Sequence, residues 1–206
     1  MPADGSVTGL VLAGLTAFLI GTFPSGMLVC RLLRRPDPGS GGSRNVGATN
    51  VLRVAGAAAG LLTLFLDIAK GWLAVFLAGE AGASPAAVAV VLGHMAPPWP
   101  GFKGGKGVAT AAGAFGALSF WPLIPAVAVF GLVLAATRMV AAASLSGVVA
   151  FPLFAILLSA GRTVAGVGML VAVLVAVGHR DNLSRIREGR EPPIRRPGTG
   201  GQTDES

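Results

Sequence analysis

The chain contains no tyrosine, one cysteine, two histidines and nine acidic residues in a total of 206. With only Cys30, an internal disulfide is excluded. Cys30, His94 and His179 together are too small a set for a structural zinc site, so neither disulfides nor metal staple this fold. Charge is equally scarce. Charged residues make up 12% of the chain, about half the roughly 25% typical of a soluble domain. Instead there are long apolar runs, 31 glycines and a mean hydropathy of +0.73, the composition of an all-α polytopic membrane protein. The net charge of +7 could indicate nucleic acid, but no soluble basic domain exists to carry it. No nucleic-acid partner is therefore expected, and the excess charge is assigned to membrane orientation.

The first apolar run, from about Gly5 to Cys30, has no charged residues of the signal-peptide kind before it and no cleavage site leading into a soluble body. It is expected to be a span rather than a removable signal. Further runs cover Val54 to Ala78, Ala81 to Ala96, Gly107 to Thr137, Met139 to Gly161 and Thr163 to Gly178. The run from Gly107 to Thr137 is too long for one helix and is interrupted by Phe120-Trp121-Pro122 and Pro125, so two short helices are expected there. Seven transmembrane helices with the N-terminus outside and the C-terminus cytoplasmic then put fourteen of the sixteen lysines and arginines on the cytoplasmic side. Arg162 falls outside and Lys70 within a span. A six-span alternative moves Arg138 and the arginine-rich tail outside and fits the charge rule less well. The short spans require a thinned bilayer or helices that do not fully cross, because about 15 residues cover only about 22 Å of a roughly 30 Å core.

Polar residues gather in three loops that this topology makes cytoplasmic. The first, Gly42 to Asn50 followed by Arg53, combines a glycine at 47 with Ser43, Asn45, Thr49, Asn50 and a cation one turn on, a set suited to an anion. The second runs from Gly93-His94 through Pro97, Pro98 and Pro100 to Lys103-Gly104-Gly105-Lys106-Gly107, then opens directly into a helix, an arrangement that favours bound phosphate. It is not a Walker A loop, because Pro100 stands five residues before Gly105 and Gly107 occupies the place of the Mg²⁺-binding hydroxyl. Alone, the GGKG turn also fits a lipid-headgroup anchor. The third, from Gly178 to Glu191, reads as a basic interfacial helix or as a polar site at the membrane edge. His179 and Asn182 would share a face of it.

Within the spans, Asp67 and Lys70 stand three apart and are expected to pair and lock the bundle, with a proton relay as the lesser alternative. For His94, which stands at the start of the second loop, a packed neutral interface role is the lesser reading, and the Ala/Gly-rich stretches fit close helix packing. Residues 192–206, with three prolines and several glycines, have nothing to bury and are expected to form a disordered cytoplasmic tail.

Taken together the three loops resemble the acyl-phosphate-dependent glycerol-3-phosphate acyltransferases of the bacterial cytoplasmic membrane. The resemblance runs from Pro24-Ser25-Gly26 to Glu191 and is carried by the strings from Asn45 to Arg53, Asp67 to Gly71, Gly93-His94 with Pro97, Phe102 to Thr110, and Gly178 to Asn182 with Gly189 and Glu191. It implies one membrane acyltransferase domain over residues 1–191, acting on acyl phosphate and glycerol 3-phosphate in phospholipid biosynthesis, with no cofactor, no metal and no obligatory protein partner. It further implies catalytic roles for His179, Asn182, Ser43 and Asn45, and substrate contacts from Thr49, Asn50, Arg53, Lys103, Gly104, Gly105, Lys106, Gly107, Ser144 and Glu191. Gly39 and Pro193 depart from the pattern, standing where Arg and Lys are usual, so neither is expected to bind an anion.

Acyl phosphate is an activated mixed anhydride, so transfer to the 1-hydroxyl of glycerol 3-phosphate needs no covalent acyl-enzyme. It needs alignment, donors for the oxyanion and charge on the departing phosphate. Lys106 with the amides of Gly104 to Gly107 is the expected phosphate cradle, while Arg53, Ser144, His179 and Asn182 are expected at glycerol phosphate. The general base is either His179 or a substrate phosphate oxygen, with the second slightly favoured. The HxxxxD pair of other acyltransferases is absent, because Trp99 follows His94 and Ser184 follows His179 at that spacing. A transporter or flippase for a phosphorylated solute is the rival reading, but the inverted repeats and midplane site it would normally need are not evident.

Overall fold

Why the chain breaks where it does can be read from a few backbone positions in the computed structural model, which describes residues 3–98 and 104–194. Among the described residues the regular elements are all helical: α1 (Val7–Gly21), α2 (Ser25–Leu32), α3 (Ala48–Ala55), α4 (Ala57–Met95), α5 (Val108–Leu118), α6 (Phe120–Thr137), α7 (Val140–Leu157), α8 (Arg162–Gly178) and α9 (Arg180–Arg187). Ser6 caps α1 by accepting from the Gly9 N–H at 3.0 Å. Gly56, at φ 90°, separates α3 from α4 in a conformation that side chains other than glycine rarely adopt.

By length and composition four helical stretches among the described residues can cross a membrane, and a fifth if α8 and α9, bent by 67° at His179, count together. Two places account for the difference between this count and the seven-span expectation. Where two spans were expected, α4 consists of two helical halves that meet at Gly79, whose φ of 68° is non-helical, and that fold back on one another, since Lys70 of the first half lies 2.8 Å from His94 of the second. Glycine adopts this positive φ at little cost, which lets the chain reverse there. And α5 has only 11 residues, about 16 Å of helix. The expected break before α6 falls at Ser119, one residue ahead of the Phe-Trp-Pro string, where the backbone is extended. Pro122 then sits in the first turn of α6, where a missing N–H costs no helical bond.

Packing relies on small residues, as backbones must approach closely when lipid offers no hydrophobic drive between helices. A Cβ on Gly21 of α1 would strike the Val90 carbonyl of α4, and one on Gly93 would strike the Phe18 carbonyl in return. Gly71 on α4 and Gly113 on α5 approach the opposite backbones in the same reciprocal way, at Thr110 and Ile68. Deeper in the bundle Phe115 of α5 stacks on Phe151 of α7 with ring centroids 3.8 Å apart and planes 3° from parallel.

The expected Asp67–Lys70 pair is present at 2.7 Å and buried, and it belongs to a larger cluster. Asp67 also accepts from the Ser25 hydroxyl, and Lys70 donates to the Phe23 carbonyl at 3.0 Å and to His94 Nδ1 at 2.8 Å. These bonds join the α1–α2 connection to both halves of α4, which is how two charges are held where an unpaired one would be very costly. At the other end of the chain, residues 192–194, expected in a free tail, are tied down: the Ile194 N–H donates to the Arg138 carbonyl at 2.8 Å. Residues 195–206 lie outside the described residues.

Candidate active site

The three loops meet at one end of the bundle, around a cavity of about 360 Å³. Its polar end is lined by Ser43, Asn45, Thr49, Arg53, Lys106, Ser144, His179, Asn182 and Glu191. Away from these the wall turns apolar. Leu64 and Ile68 come from α4, Phe115 from α5, Leu123 and Phe130 from α6, and Val148 from α7. On α7 the positions Ala141, Ser144 and Val148 lie on one face, so the wall passes from polar to apolar about 6 Å along the helix from Ser144 to Val148.

The first loop is held by Asn50 from beneath. Its buried carboxamide donates to the carbonyls of Pro38, Gly41 and Asn45 at 2.8, 3.2 and 2.8 Å, and accepts from the Ser43 N–H at 2.9 Å. Asn45 closes an Asx turn by accepting from the Gly47 N–H at 2.8 Å. The loop rests on α2 so closely that a Cβ on Gly26 would overlap the Val46 carbonyl. The chain then enters α3 with Thr49 and Arg53 one turn apart, both lining the cavity. Asn50 was grouped with the substrate contacts, but it does not line the cavity. All of its bonds go to the loop, because a buried carboxamide satisfies backbone groups that water cannot reach.

In the second loop the cradle differs from expectation. Gly107, at φ 83°, lines the cavity with Val108 and Ala109 of the first turn of α5. Gly104 and Gly105 instead press against the end of α4, where the Gly105 N–H donates to the His94 carbonyl at 3.0 Å and is unavailable to a ligand. They serve as glycines because a Cβ at 104 would meet the His94 and Met95 carbonyls, and one at 105 the His94 ring. Lys103 lies outside the described residues. Lys106 reaches across to Asn182 Oδ1, and burial is the largest influence on it, pushing its pKa down. Glu191 opposes that shift, while Arg185 and Arg53 add to it.

His179 stands at the bend where α8 ends, and Asn182 follows on the same face of α9. The His179 Nδ1 lies 2.8 Å from the Val175 carbonyl, which can only accept, so Nδ1 carries the proton and Nε2 is left with a lone pair. Burial pushes the His179 pKa down to about 4. Lys106 pushes the same way, while the Val175 carbonyl and Glu191 oppose. The Asn182 Nδ2 donates to Glu191 Oε1 at 2.6 Å, and Arg185 Nε donates to Glu191 Oε2 at 2.7 Å. Lys106, Asn182, Glu191 and Arg185 thus form one chain of charge-assisted bonds. Asp181 takes no part, pairing with Arg180 at an exposed site.

Comparison with known proteins supplies the assignment. The profile of the glycerol-3-phosphate acyltransferase family matches residues 11–189. The chain belongs to this family. Two relatives named glycerol-3-phosphate acyltransferase are those of Jannaschia sp. (strain CCS1), 44% identical over 91% of this chain and 95% of its own, and of Thioalkalivibrio sulfidiphilus, 40% identical over 87% and 91%. Two crystal structures of PlsY (YgiH), described as an integral membrane glycerol 3-phosphate acyltransferase, superpose with TM-scores of 0.83 and 0.81 at 33% and 32% identity, each covering 90% of this chain and 95% of the other. One is a glycerol 3-phosphate form and the other a lysophosphatidic acid form.

Within this acyltransferase two cavity residues had not been placed at the site by sequence. Asp67, expected in a bundle pair, and His94, expected at the start of the second loop without a substrate role, both border the cavity. The clue was the position of His94 ten residues before the lysine-bearing turn. The apolar wall gave no clue, since Leu64, Phe115 and Val148 look like any other membrane residues.

Proposed function

We propose that the chain transfers a fatty acyl group from acyl phosphate to the 1-hydroxyl of sn-glycerol 3-phosphate, releasing lysophosphatidic acid and phosphate. The observation that carries this reading is the cavity, cationic at one end and apolar at the other, matching two phosphorylated substrates of which one bears a fatty chain. We place the site on the cytoplasmic side of a bacterial inner membrane, in a seven-segment topology in which the bend at Gly79 returns α4 across the bilayer.

Lys106, with the first-turn amides of α5, neutralises the departing phosphate, while Arg53 and Thr49 meet the phosphate of glycerol 3-phosphate. Ser43, Asn45 and Ser144 supply neutral hydrogen bonds that orient the glycerol and receive the developing oxyanion. The hydroxyl oxygen attacks the acyl carbonyl carbon. A tetrahedral intermediate collapses, the bond from carbon to phosphate oxygen breaks, and the electron pair leaves with phosphate. Someone must take the hydroxyl proton. A histidine with a pKa of about 4 is a weak base, whereas the second ionisation of a phosphate monoester lies near about 6. The proton is therefore assigned to a phosphate oxygen of glycerol 3-phosphate, with His179 Nε2 holding the hydroxyl in line. Glu191 and Arg185 act behind Asn182.

The test is an assay of purified protein with defined substrates, comparing acyl phosphate with acyl-CoA. Lysophosphatidic acid from acyl phosphate alone is the expected result; efficient use of acyl-CoA would remove the donor assignment.

A further inference from the structure

His94 is buried and touches the glycine-rich turn twice. Its carbonyl accepts the Gly105 N–H at 3.0 Å, and its ring occupies the space that any side chain at 105 would need. On the other edge its Nδ1 receives the Lys70 ammonium at 2.8 Å, and Lys70 is itself held by Asp67 at 2.7 Å and by the Phe23 carbonyl at 3.0 Å. An ammonium offers only hydrogens, so this bond makes Nδ1 the acceptor and orients the imidazole plane. The ring thus has a fixed orientation on a rigid helix, with the turn lying against it. Lys106 is the next residue after Gly105, Gly107 opens α5, and the Lys106 ammonium reaches Asn182 from this turn.

We infer that His94 is a positioning residue for Lys106, a gauge against which the Gly104–Gly105 turn is seated, with the Asp67–Lys70 pair as its mount. This rests on the reading of Lys106 as the phosphate-binding cation. The role adds to the bracing of the helices a reason why Asp67 and His94, in the apolar body of the protein, border the cavity.

The experiment compares His94→Ala and His94→Asn with the wild type. The asparagine keeps an acceptor toward Lys70 and removes the ring edge, so it remains informative if the alanine variant fails to fold. Hydrogen exchange of the segment 104–110, which needs no substrate, should rise by about tenfold in either variant while α1 and α7 are unchanged. In the activity assay, kcat/KM should fall by about tenfold in the wild-type background but by less than about twofold when Lys106→Ala is already present, since both substitutions then disable the same contact. Unchanged exchange in a folded His94→Asn protein would overturn the inference whatever the activity. Losses that multiply in the double variant would overturn it too. If the wild type makes no lysophosphatidic acid, the functional reading fails, and exchange still decides the positioning.

Discussion

Lys106 and Asn182, separated by 76 residues of chain, share a hydrogen bond at the polar end of the cavity. The bond joins the glycine-rich turn to α9, and through Asn182 to Glu191, so no single loop makes this end by itself.

Lys106→Ala and Arg53→Ala should each lower kcat/KM by more than about tenfold without loss of fold, because a charge-assisted phosphate contact contributes about 1.5 to 3 kcal/mol. Steady-state kinetics on purified, monodisperse protein checks this. Full activity in a folded Lys106→Ala enzyme would sink its assignment.

For Asn182→Leu, the expected loss comes through geometry, since Lys106 loses its acceptor and Glu191 keeps only Arg185. Asn182→Gln should retain more activity, because its carboxamide can still accept from Lys106 and donate to Glu191. If the leucine variant is the more active of the two, the bond from Lys106 is not what matters at 182.

Asn50→Ala should act on the loop rather than on the chemistry. It removes one acceptor and leaves three carbonyls without their donor, at a cost of about 1 to 3 kcal/mol for each buried group that water cannot reach. Faster proteolysis between Asp37 and Gly47 is the readout. A protected loop with an unchanged fold would show that Asn50 is dispensable there.

The pH dependence separates the two proton acceptors. His179 has a folded pKa of about 4, below its ordinary 6.5, so it is neutral from about pH 5 upward. An acidic limb in kcat near pH 6 then belongs to the substrate phosphate and should survive His179→Gln, which chiefly raises KM. Disappearance of that limb in the variant, with KM unchanged, would make His179 the base. The same depressed pKa has a stability sign. Between pH 6.5 and 4 the unfolded state binds a proton that the folded state does not, so His179 destabilises the fold as pH falls through that window. Thermal unfolding at pH 7 and pH 5 should show a smaller drop in Tm for His179→Gln than for the wild type.

Much of the polar end was legible because charge is so rare in this chain. Thr49, Arg53, Lys106, His179 and Asn182 stand out against apolar neighbours, and helical spacing alone places Thr49 with Arg53 and His179 with Asn182. What spacing does not reveal is the direction of a glycine turn: Gly104 and Gly105 face α4, while Gly107 faces the cavity. Asn50 was misread for the same reason, since a carboxamide serves a ligand and a buried backbone with equal chemistry. The break expected between Ala78 and Ala81 falls at Gly79, where one non-helical glycine separates two apolar runs.

Glu191, and the Ile194 N–H that bonds the Arg138 carbonyl, come after every apolar helix in the order of synthesis. A ribosome can therefore insert α1 to α8 completely before the carboxylate that anchors Asn182 has emerged. Nascent chains stopped ahead of Glu191 would carry the apolar pocket with Asn182 and Arg185 lacking their carboxylate partner. Competence arrives with the final few residues of the latch, and a fusion partner joined at the C-terminal side has to begin beyond Ile194 to leave it closed.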